Sequence, residues 1–102
     1  MVKNNEQMDS YSLAKIMGDL ALSKKAENVV LLNMKGVSGF TDYFLICHGT
    51  GPLHVKAIYD AIENGLFDEG IKAWHREGYE NKNWVLLDYV DVVCHVFDGE
   101  SR

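Results

Sequence analysis

Apolar positions recur at helical spacing in two stretches of this chain and as short runs in the rest. From Ser10, read as an N-cap, Leu13, Ile16, Met17 and Leu20 fall at i, i+3, i+4 and i+7, a single helical face. Lys24-Lys25 suits the C-terminal end of that helix, where the backbone dipole favours cations. A second helix is predicted after Gly49-Thr50-Gly51, with Thr50 or Gly51 as cap and Pro52 near its first position. Val55, Ile58, Tyr59 and Ile62 form its stripe, and Asn64-Gly65 and Gly70 offer places to stop. Val29-Val30-Leu31-Leu32 and Tyr43-Phe44-Leu45-Ile46-Cys47 are continuous apolar runs, which predicts central strands buried on both faces. Trp84–Leu87 and Val92–Phe97, separated by a polar break at Asp88–Asp91, read as an antiparallel hairpin. A weaker strand is predicted over Ile71–His75, and the passage from 43 to 75 is long enough for a parallel crossover. The expectation is a single-domain α/β sandwich: two main helices on a mixed sheet of about five strands, with its core over residues 10–98.

Composition narrows the class. The 102 residues are 47% hydrophobic and 25% charged, an ordinary globular balance with room for one core. No stretch approaches the roughly 20 apolar residues of a membrane span. The opening Met1–Gln7 is polar and carries an acid, unlike a secretory or transit leader, so a cytoplasmic protein is expected. The net charge of -5 argues against direct nucleic-acid binding, because phosphate must be met by clustered Lys and Arg. Seven of the fifteen acids (Glu69, Glu77, Glu80, Asp88, Asp91, Asp98, Glu100) lie in the last third, which points to a basic protein partner.

Three kinds of chemistry are open to residues of these types. Gly49-Thr50-Gly51 between a strand and a helix either cradles a phosphate or is a tight capped turn; it lacks the Gly-Lys-Ser/Thr of a P-loop and the third Gly of the dinucleotide fingerprint. Cys47-His48 and Cys94-His95 repeat a metal-ligating pair, but adjacent strand residues point to opposite faces, so neither pair can chelate one ion. No metal site or cofactor is predicted, and both cysteines read as small buried hydrophobes. Asp42, Asp60, Asp88 and Asp91 are scattered, and no Asp-x-Asp pair stands inside an apolar run to hold Mg²⁺ for nucleotidyl transfer. Aromatic and acidic groups are instead concentrated in one stretch: Trp74, Glu77, Tyr79, Glu80, Trp84, Asp88, Tyr89 and Asp91 lie within 18 residues. Trp84, Leu86 and Asp88 share one parity of the hairpin; that parity is either the core face or an acid-rimmed aromatic patch for a partner.

These residues also carry a resemblance. Lys25-Ala26 before a strand, Thr41-Asp42-Tyr43-Phe44 opening the next, Glu77-Gly78, Trp84-Val85-Leu86-Leu87-Asp88-Tyr89, Asp91-Val92-Val93 and His95-Val96-Phe97 resemble, in order, the ribosomal silencing factor (Iojap) family. The resemblance implies an α/β fold related to nucleotidyltransferases but without their catalytic acids. It implies a non-enzymatic translation repressor that binds the large ribosomal subunit through its fourteenth protein and blocks joining of the small subunit, with a further role in subunit biogenesis and homodimers common. Carried over onto this chain, partner-binding falls on Trp84 and Leu86 as apolar anchors, Tyr89 for packing and a hydroxyl, Asp88, Asp91 and Glu77 for basic side chains, and Asp42 and His95. The alternative function is a nucleotidyltransferase-like enzyme using the 49–51 loop.

The chain departs from the family in four places: Val90 and Asn83 stand where glycine is usual, the serine after the glycine turn is missing, and the sequence stops at Ser101-Arg102 where relatives continue. Val90 predicts a different hairpin turn, because valine disfavours positive φ.

Overall fold

The computed structural model describes residues 8–37, 39–78 and 83–99. Helix α1 spans Ser10–Ser23 and α2 Pro52–Asp68; the strands are β1 Glu27–Asn33, β2 Tyr43–Gly49, β3 His75–Glu77, β4 Trp84–Asp88 and β5 Val92–Asp98. The N-cap of α1 is Asp9, one residue before the predicted Ser10: its carboxylate accepts from the Ser12 N–H at 2.7 Å, and that bond holds Asp9 below the usual carboxylate range. Both helices end the same way. Ala26 N–H reaches the Ala21 carbonyl and Lys25 (φ 62) that of Leu22, while Ile71 N–H reaches Leu66 and Gly70 (φ 82) Phe67. These are paired 6→1 and 5→2 closures around a left-handed residue.

Asn64-Gly65 does not stop α2. A Cβ on Gly65 would lie 2.6 Å from Leu20 Cδ2, so this glycine is where α1 and α2 approach each other rather than a break. At the start of α2, Gly51 (φ 117) is the cap and Pro52 the first helical residue. Thr50 N–H donates to His54 Nδ1 at 2.8 Å, and His54 Nε2 lies 2.7 Å from the Lys24 carbonyl. One imidazole thus ties the N-terminus of α2 to the end of α1, and it takes up the Thr50 N–H of the glycine loop.

The sheet runs β1-β2-β5-β4-β3. β2 and β5 pair in parallel from Tyr43↔Val92 to Gly49↔Asp98; every other neighbouring pair is antiparallel. The β2–α2–β3 crossover carries the chain to the far edge, so the parallel partner of β2 is β5 and not β3. Alternation then sorts the side chains. Leu45, Cys47, Val85, Leu87, Val92, Cys94 and Val96 point toward the helices and join Leu13, Met17, Val55, Ile58, Ile62 and Leu66 in one core. Two strand expectations are corrected. The Val29–Leu32 run forms an edge strand, not a central one, leaving Val30 44% and Leu32 41% exposed. The strand expected at 71–75 is confined to His75–Glu77, because Ile71 is spent closing the α2 C-terminus.

The β4–β5 turn also departs from expectation. Val90 takes φ 72, the conformation a glycine would take there, instead of forcing another turn. Its N–H is held by Asp88 Oδ1 at 2.7 Å and its carbonyl by Thr41 Oγ1 at 3.2 Å. A β-branched residue in this region stores strain on the order of 1–2 kcal/mol. Val90 is 46% exposed, so little packing is lost with its side chain. Val90→Gly is therefore expected to raise the unfolding free energy by about 1 kcal/mol in urea denaturation; a destabilised variant would show the turn to be unstrained.

Candidate functional site: an uncovered sheet face

Both helices pack on one side of the sheet, and no described element covers the other. Register assigns that open face. Leu32, Phe44, Val93, Asp88 and His75 align across the five strands in one row; Val30, Ile46, His95, Leu86 and Glu77 form the next; His48, Phe97 and Trp84 form the third. Trp84, Leu86, Phe44, Ile46, His48, His95 and Phe97 are all half-buried there, resting on one another.

The rings make a connected network across β2, β5 and β4. Trp84 Nε1–H donates to His95 Nδ1 at 3.2 Å with the rings stacked at 23°. Phe44 lies 4.9 Å from the His95 ring and His48 5.7 Å from Phe97, centroid to centroid. Phe97 in turn lies 6.5 Å from Trp84 and 6.3 Å from His95. Burial holds His95 below the usual imidazole range, so the ring is neutral at pH 7.

The residues singled out from the sequence divide by place. Trp84, Leu86, Asp88, Glu77 and His95 all belong to the open face. Asp42 and Asp91 lie beyond its Asp88 end: Asp42 and Tyr43 N–H groups both donate to the Asp91 carbonyl, at 2.9 and 3.2 Å. Asp42, Asp88 and Asp91 thus gather around the 88–91 turn, four residues of β4, or roughly 13 Å, from Trp84. Glu77 stands apart from them, exposed, with Oε2 2.7 Å from His75 Nε2. Tyr89 is the exception. It is 1% exposed and its ring lies in the core, which corrects the expectation of a surface hydroxyl; burial pushes its phenol pKa up. Tyr89 simply keeps the alternation of β4 and so continues the helix-facing parity of Val85 and Leu87. Tyr79, Glu80 and Glu100 lie outside the described residues.

Phe44, Ile46, His48 and Phe97 are not assigned to a partner surface by the sequence reading. The signal was present as alternation within Tyr43–Gly49 and Val92–Asp98. Joining it to Trp84 needed the β2–β5–β4 register, which no single strand encodes. Among the described residues, no group of three or more His, Cys, Asp or Glu could hold a metal ion, and no helix is long and apolar enough to cross a membrane.

Two helices on one side of a mixed five-stranded sheet, with an aromatic, acid-bordered opposite face, define a two-layer α/β domain. The model of the family described as ribosomal silencing factor during starvation matches residues 7–102. The chain is 43% identical over 95 residues to Ribosomal silencing factor RsfS of Halalkalibacterium halodurans, covering 93% of this chain and 81% of that protein. The counterpart from Bacillus subtilis is 40% identical over 95 residues, covering 93% and 80%. A crystal structure from Bacillus halodurans superposes with a TM-score of 0.85 at 43% identity, covering 90% of this chain and 86% of that one. One from Chromobacterium violaceum, at 24% identity, shares the fold with a TM-score of 0.86 over 89% and 76%. The chain belongs to the ribosomal silencing factor family.

The two Cys-His pairs are split by the sheet, as alternation requires. His48 and His95 join the open face, while Cys47 and Cys94 are fully buried beneath the helices as free thiols hydrogen-bonded to each other. That bond, with burial, pushes the Cys94 thiol well up from its usual range. In the native protein both thiols are expected to react with a maleimide only as fast as the domain opens, and at once in denaturant. Rapid labelling of either under native conditions would place it at the surface.

Proposed function

We propose that this domain is a translation repressor that docks on the large ribosomal subunit through its open sheet face, against the subunit's fourteenth protein, and so keeps the small subunit from joining. The observation that carries the reading is the Trp84–His95–Phe97–Phe44 network on a face that no described helix covers. Contiguous apolar surface of this kind marks an interaction site, and tryptophan is the side chain most enriched among interface anchors. Family membership supplies the ribosome as the partner.

The roles follow from position. Trp84 and Leu86 supply the apolar contact, flanked by Phe44, Ile46 and Phe97. Asp88 and Glu77 on the face, with Asp42 and Asp91 beyond its end, steer a partner rich in Lys and Arg. Tyr89 supports the face from beneath. Silencing by this route is steric: a folded body occupies a surface that another large surface must reach. It requires no reaction and no cofactor, and it places the protein in the cytoplasm with the ribosomes.

The test is co-sedimentation of the purified protein with isolated large subunits. Trp84→Ala is expected to weaken binding on the order of 30-fold, the loss of a central anchor. Leu53→Ala, at an 83% exposed position of α2 remote from the sheet face, is expected to bind like the parent. Equal pelleting of Trp84→Ala and parent would remove the open face as the docking surface.

A further inference from the structure

We infer that His95 is the positioning residue of Trp84, and that protonation of His95 releases the indole and weakens docking in mildly acidic solution. The inference rests on the reading of the open face as the docking surface. It starts from a constraint on tautomers. An indole N–H can only donate. The bond from Trp84 Nε1 to His95 Nδ1 therefore requires a lone pair on Nδ1, and the neutral ring carries its proton on Nε2.

Protonation puts a second hydrogen on Nδ1, facing the indole N–H. Two donors cannot hold a 3.2 Å contact, so the bond that orients Trp84 is lost in the same step. The surroundings offer the cation little in return. His95 Nε2 is buried without a hydrogen-bond partner. From β2 the ring meets Phe44, Ile46 and, one step along, His48. From β4 it meets Trp84 and Leu86, with Asp88 one step further; on its own strand its neighbours on this face are Val93 and Phe97. From β3, Glu77 lies across Leu86, two strand spacings or roughly 10 Å away, and is engaged by His75. From β1, Val30 shares the row and Glu27 stands opposite His48. Both helices pack on the other side of the sheet. No carboxylate is adjacent, so desolvation prevails and the neutral ring is favoured, as the lowered His95 value reflects.

The sign follows. The unfolded chain titrates near 6.5 and the folded chain below it, so protons bind the unfolded state more readily. Stability is highest above 6.5 and falls as the pH drops through that value. The fall levels off below the folded-state pKa, where the domain retains a charged His95 and a freed Trp84.

The test uses Trp74→Phe protein, in which Trp84 is the remaining tryptophan, titrated from about pH 8 to about pH 5 with circular dichroism confirming the fold. An imidazolium beside an indole quenches it, so emission is expected to fall with a midpoint below 6.5. His95→Gln, which keeps an acceptor and does not titrate, is expected to abolish the transition, whereas His48→Gln retains it. Nitrogen-15 NMR of the parent at high pH is expected to show His95 protonated on Nε2, a reading that needs no substitution. A transition that survives His95→Gln, or an Nδ1-protonated ring, overturns the pairing. Sedimentation with large subunits is expected to weaken about five-fold from pH 7.5 to pH 5.5, the loss of one hydrogen bond, and the dependence is expected to vanish in His95→Gln. Binding that is flat with pH while the fluorescence changes overturns the coupling to docking. No sedimentation at any pH overturns the docking reading and the coupling together, and the fluorescence series still decides whether His95 governs Trp84.

Discussion

The parallel pairing of β2 with β5 is the constraint on which the rest of the domain depends. Seven consecutive partners, from Tyr43↔Val92 to Gly49↔Asp98, bring together two strands separated by more than forty residues. Every other strand is placed relative to that pair: β1 by antiparallel addition to β2, β4 to β5, and β3 to β4. Because side chains alternate, one register decides both faces at once. A slip of β2 by one residue would bring His48 under the helices and expose Cys47, and a slip of β5 would do the same to His95 and Cys94.

That coupling explains why core and surface are hard to separate here. Val85 and Leu87 are fully buried, while Trp84 and Leu86 on the same strand are half-buried against their neighbours. The open face has the aromatic density of a core with only one layer beneath it. Among the described residues its rings are ordered by one another and by the Trp84–His95 hydrogen bond rather than by an overlying helix. The surface is thus partly pre-formed, so its side chains have less conformational entropy left to lose. The strained Val90 turn, clamped by Asp88 and Thr41, closes the acidic end of that face and sets where β4 hands over to β5.

Much of this was legible in the sequence, and the misreadings share one physical origin. Helical stripes, caps and the β4–β5 hairpin are local, and Val55–Ile58–Tyr59–Ile62 reads correctly without knowledge of anything else. What lies next to a strand is not local. Val29–Leu32 has the composition of a central strand, yet among the described residues no strand pairs with its outer edge. Gly65 has the look of a stop and is instead the gap into which Leu20 fits. Tyr89 belongs by composition with the aromatic, acidic cluster, and the parity it shares with Val85 and Leu87 sends it inward. Parity alone placed Trp84, Leu86 and Asp88 together. Deciding that they face away from the helices required the helices to be in place, and joining them to Phe44 and Phe97 required the central register.

The two outer strands have a bearing on how many copies of such a domain can coexist. A sheet with one uncovered apolar face and free backbone along its borders is a template for further strands, and so for fibrils. Here β1 is kinked by a register shift between Glu27 and Val30, with Asn28 at φ 53. At the opposite border β3 offers only His75, Arg76 and Glu77, three exposed polar residues. Neither border presents a long, flat ladder. Edge-to-edge growth of the sheet is thereby frustrated, and the chain can leave an apolar face open without polymerising through its own hydrogen bonds.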